Sequence, residues 1–95
     1  MVRKWYIAPN VVLREEADEW GILFDPDTGA SVALNPIAVT MFKAMQKSQS
    51  VDKVEKAVRD EFDEVPETLK DDIADLVEAL AKDGFIGFQE GITDI

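Results

Sequence analysis

The spacing of apolar residues changes once along this chain, near Asn35. Before it, apolar positions come in short runs separated by polar clusters; after it, they recur every three or four residues. The runs Val11-Val12-Leu13-Arg14-Glu15, Trp20 to Phe24 and Ala30 to Leu34 are strand-like in length and composition. Glu16 to Glu19 is a polar turn between the first two. Between the second and third lies Asp25-Pro26-Asp27-Thr28-Gly29. Proline presets φ there, the aspartates can bond nearby amides, and glycine supplies a positive φ. A hairpin is therefore expected.

The helical part starts abruptly. Asn35 can cap a helix whose first residue, Pro36, has no amide hydrogen to lose. That helix is expected over about Pro36 to Gln46, with Ile37, Ala38, Met41, Phe42 and Met45 on one side. Ser50 can cap a second helix carrying Val51, Val54, Ala57, Val58 and Phe62. Pro66 interrupts the chain before a third. Thr68 with Asp71 resembles a capping box, and Leu69, Ile73, Leu76, Val77 and Leu80 make the strongest stripe. Gly84 ends it. Phe85-Ile86-Gly87-Phe88 reads as a short apolar tail and Gln89 to Ile95 as loose. Strands first and helices second imply an α+β domain, winged-helix-like, with a three-stranded antiparallel sheet followed by a three-helix bundle. The 95 residues form one domain, 1–95, with its ordered core over about 11–86.

Composition removes several chemistries. There is no Cys and no His, which excludes disulfides, thiolate nucleophiles, Cys/His metal sites and imidazole catalysis. Pro9-Asn10 interrupts any apolar stretch behind the basic N-terminal residues, so neither a signal peptide nor a membrane span is expected, and the cytoplasm is the default location. Twenty acidic residues against ten basic ones give a net charge of −10. From Asp60 to Asp83 there are ten carboxylates and two lysines, Lys70 and Lys82. Such a charge run is ordinarily a solvated face that aids solubility. It also repels a phosphate backbone, because nucleic-acid affinity comes mainly from Lys and Arg.

Each helical stripe is first of all a core stripe, and none identifies a ligand unaided. The third strand is different. In a meander it can be an edge strand, and an edge exposes unpaired amides and carbonyls. Ala30 to Leu34 carries no charge and no proline to guard it. An unguarded edge is covered by the protein's own helix or reserved for another strand.

Two enzymatic or regulatory readings weigh less. Asp27-Thr28-Gly29-Ala30-Ser31 contains an aspartic-protease tripeptide, but such enzymes need two facing carboxylates on a β-rich scaffold. A proline-containing turn accounts for these aspartates. A DNA-binding winged helix would suit the element order, yet the helix meant for the groove carries Asp71, Asp72, Asp75 and Glu78. Asp25-x-Asp27-x-Gly29 lacks the glycine position and the bidentate glutamate of a calcium loop. Trp5, Tyr6 and Trp20 are expected to close the open end of a small core.

The run Phe24-Asp25-Pro26-Asp27-Thr28-Gly29, then Leu34-Asn35 with Ala38, Met41 and Phe42, resembles the PqqD-like family. So do Val51-x-x-Val54 with Phe62, and Asp72-Ile73 with Leu76, Leu80 and Gly84-Phe85-Ile86. The resemblance spans roughly residues 11 to 86; its specificity lies in the ordered set rather than in any one motif. It implies a small winged-helix module that recognises the leader region of a ribosomally made precursor peptide and presents it to a modifying enzyme, often a radical-SAM enzyme. It further implies that the leader adds as a strand beside Ala30, Ser31, Val32, Ala33 and Leu34 and packs toward Ile73, Leu76 and Leu80. Strand addition needs main-chain hydrogen bonds and side-chain pockets, with no catalytic residue. Hence a monomeric binding protein is expected, with no metal, no cofactor, and no nucleic-acid or membrane partner.

Overall fold

A computed structural model describes residues 4–89. The order is β1 (Lys4–Ile7), β2 (Val12–Glu15), a 3-10 turn (Ala17–Glu19), β3 (Gly21–Phe24), β4 (Ser31–Leu34), α1 (Pro36–Lys47), α2 (Val51–Glu61), α3 (Leu69–Lys82) and β5 (Ile86–Gln89). β2, β3 and β4 form an antiparallel meander in that order, and β1 pairs with β5 in a separate two-stranded sheet. The mixed α+β architecture, with its three-stranded sheet followed by three helices, is as the sequence predicts.

The β3–β4 turn is held by its own side chains. Asp25 Oδ1 accepts from the Asp27 amide at 2.9 Å, and Thr28 Oγ1 accepts from the Ala30 amide at 3.1 Å. The Asp25 amide donates to the Ala30 carbonyl at 3.0 Å, and Gly29 takes φ 78° as the last turn residue. Asn10 ties the turn to the chain before β2 through Nδ2 to Asp27 Oδ2, 2.9 Å. Register follows: Phe24 opposes Ser31, Leu23 opposes Val32, Ile22 opposes Ala33 and Gly21 opposes Leu34.

Helix ends obey local chemistry in two cases of three. Asn35 accepts from the Ala38 amide at 2.8 Å and Ser50 from the Lys53 amide at 3.3 Å. Thr68 does not cap α3 as expected: its hydroxyl donates to Asp72 Oδ2 at 3.1 Å, one turn into the helix. The expected Thr68–Asp71 pairing is thus replaced, because Thr68 has φ −89° and ψ 17°, too helical to aim its side chain at the first amides. At the other end Gly84 has φ 86°, its amide bonds the Ala81 carbonyl, and the Phe85 amide bonds the Leu80 carbonyl at 2.9 Å. This αL closure reverses the chain and sends Phe85 into the core, fully buried.

The segment read as an apolar tail is a strand. β5 pairs with β1 from Lys4 opposite Gln89 to Ile7 opposite Ile86. Local pattern could not reveal this, since the two strands lie at opposite ends of the chain. Trp5 sits in that sheet, 1 % exposed, with its indole Nε1 donating to the Met45 carbonyl at 3.0 Å. It closes the core as expected. Tyr6 and Trp20 do not, being 51 % and 46 % exposed. The looseness expected for the tail lies outside the described residues beyond Gln89, as do Met1 to Arg3.

The core joins Leu23 and Leu34 of the meander to Phe42 and Met45 of α1, Val54 and Val58 of α2, and Leu69, Ile73, Val77 and Leu80 of α3. Val39, off the expected α1 stripe, is also buried. A Cβ built on Gly21 would lie 2.9 Å from Val39 Cγ2 and 3.0 Å from Leu13 Cδ1. The bare glycine lets α1 press onto β3 there.

Candidate functional site: an open sheet edge

The meander has two edges, β2 and β4, and among the described residues β4 pairs only with β3. The Asp25 amide bonds the Ala30 carbonyl, so residues 25 and 30 form an inward-bonded pair. Bonding alternates along an antiparallel ladder. Val32 and Leu34 therefore direct their amides and carbonyls to β3, while Ser31 and Ala33 direct theirs to the open edge. Two donors and two acceptors stand there, spaced for an added strand, on a segment with no charged side chain.

Side chains alternate the other way. Leu34 belongs to the buried core, and Ala30 and Val32 are partly buried against it. Ser31 and Ala33 are exposed on the opposite face. On α3, Leu76 is partly buried and packs on the same core, whereas Ile73 and Leu80 are 0 % and 2 % exposed. Of the eight residues expected at the site, Leu34, Ile73 and Leu80 thus lie inside the domain. Ser31 and Ala33 are exposed, and Ala30, Val32 and Leu76 are partly buried. The α3 stripe could not distinguish the two groups, because all its members share a helical face.

The outward face of the meander was not singled out by sequence reasoning. Val12 and Phe24 oppose each other across β2 and β3 and are 53 % and 42 % exposed. With Arg14, Ile22 and Ser31 they line a shallow concavity of ≈ 390 Å³. The alternation of Trp20, Ile22 and Phe24 in the sequence carries the signal.

Among the described residues no group of three or more His, Cys, Asp or Glu side chains could hold a metal ion. Asp27, of the protease-like tripeptide, is engaged with the Asn10 amide, and Asp25 is buried as a turn acceptor. No described helix is long and apolar enough to cross a membrane. On α3, Lys70 is raised above its usual range by its hydrogen bond to Asp52, then by the charges of Asp52 and Glu55.

Fold and site together define a small α+β domain whose uncharged β4 strand, among the described residues, pairs with β3 alone. The chain belongs to the PqqD family: the model described as coenzyme PQQ synthesis protein D matches residues 21–86. A solved structure with the same fold is TbiB1 in complex with the TbiA(beta) leader peptide. It has 21 % identity and a TM-score of 0.69, covering 94 % of this chain and 99 % of that one. No curated protein matches the chain.

Proposed function

We propose that this protein captures the leader region of a ribosomally made precursor peptide by strand addition on β4 and presents it to a modifying enzyme of the radical-SAM class. It performs no chemistry itself. The observation that carries this reading is the β4 edge, which leaves the amides and carbonyls of Ser31 and Ala33 without a partner strand in an uncharged segment. Family membership supports it, as does the leader peptide bound to TbiB1, a protein of the same fold. The inner-face side chains of the leader would meet Ala30, Val32 and Leu76, with Leu34, Ile73 and Leu80 as the rigid wall behind. Main-chain bonds supply affinity and alternate side chains supply selectivity. The gain for the reaction is effective concentration, because a held leader keeps its core peptide near the enzyme.

Proline separates binding from folding. Ser31→Pro and Ala33→Pro remove outward amides and should leave circular dichroism unchanged. Val32→Pro removes a ladder bond to β3 and should damage the fold. For the leader of a precursor encoded beside this protein, micromolar affinity is expected, about −8 kcal/mol, weakened tenfold or more by either outward proline. Folded outward variants that bind the leader like wild type would refute the site.

A further inference from the structure

Resting on the strand-addition reading, we infer that the peptide is read on both faces of the sheet, so the recognised segment carries consecutive apolar residues rather than an apolar–polar alternation. A strand on β4 must place every second side chain on the outward face. There it meets Ser31 and Ala33, both exposed and too small to fill the space above the sheet edge. The next residues inward on that face are Phe24, opposite Ser31, and Ile22, opposite Ala33. Neighbouring strands lie about 4.8 Å apart, so a long or aromatic side chain from the added strand spans the small residue and reaches β3. What it reaches is the concavity lined by Val12, Arg14, Ile22, Phe24 and Ser31. Arg14 presents its stem there because its guanidinium is turned to Glu16 at 2.7 Å.

On the inward face the same strand runs beside Ala30 and Val32, both partly buried against the core. Apolar surface on both sides is the environment of a central strand, which reads as a continuous hydrophobic run. The class of ligand is thus an extended peptide with an aromatic or long aliphatic residue facing outward, next to an apolar residue facing in. The outward face would otherwise be an apolar patch left to solvent.

The test uses peptides selected from a random dodecamer library on the wild-type protein, then scanned with alanine. Losses of tenfold or more at adjacent positions are expected. Phe24→Ser should reduce the loss at the outward position to about twofold and leave the inward one intact. Ser31→Phe, which fills the space from the protein's side, should make peptides with a small outward residue the better binders. Circular dichroism checks both folds. Losses confined to every second position overturn this inference alone. Selected peptides indifferent to Ser31→Pro and Ala33→Pro overturn strand addition and this inference with it. A wild-type dimer that Phe24→Ser dissociates, with peptide preference unchanged, assigns the face to a second copy and also overturns it.

Discussion

Single side chains settle where this small fold could have come apart. Trp5 is the clearest. The last carbonyls of α1 have no helical partner, and the indole of Trp5 supplies one to Met45 while the Gln49 side chain holds the Trp5 carbonyl at 3.0 Å. Trp5→Phe should keep most of the packing yet strand the buried Met45 carbonyl, costing about 1–3 kcal/mol in urea unfolding. Asp25 plays the same part in the hairpin. Asp25 is 3 % exposed and its carboxylate accepts from the Asp27 amide, so Asp25→Ala should cost about 1–3 kcal/mol and Asp25→Asn much less. An equal cost for both would mean that charge, not the turn bond, is what the position requires.

At the scale of elements, starting signals differ in strength although they look alike in sequence. Asn35 makes its capping bond and Thr68 does not. Asn35→Ala should therefore lower stability by about 1 kcal/mol, and Thr68→Ala by less than about 0.5 kcal/mol, both read from the urea midpoint. Asn35 also joins β4 to α1, so its loss should loosen the open edge; faster amide exchange at Leu34 and Asn35 would report it. The edge itself was legible early, because an uncharged run between a turn and a helix cap needs no tertiary information. Its polarity was not. Whether Ser31 or Val32 faces outward depends on which pair closes the ladder, and the Asp25–Ala30 bond decides it.

For the whole molecule, charge is the governing quantity. Twenty carboxylates against ten basic residues leave a net repulsion, and ion pairs such as Lys43–Glu15 at 2.9 Å are exposed and contribute little. Raising salt from ~0.01 M to ~0.15 M shortens the screening length from about 30 Å to about 8 Å. The melting temperature should rise accordingly. A fall would mean that the ion pairs outweigh the repulsion. For the same reason no binding to duplex DNA is expected at physiological salt in a gel shift, α3 presenting Asp71 and Asp75 to solvent.

Sequence by itself determined the meander, the three helices, the turn chemistry and the absence of thiol and imidazole chemistry. Each of these is written in neighbouring residues, through hydrogen-bonding side chains, fixed dihedrals or apolar period. Tertiary structure alone decided three things. It paired β1 with β5, two strands about eighty residues apart that carry no mutual signal. It put Ile73 and Leu80 inside the domain while leaving Leu76 at its margin, a division set by what packs against the helix rather than by the stripe. And it aligned Val12, Ile22 and Phe24 on one exposed face, because register across strands, not order along the chain, brings such residues together.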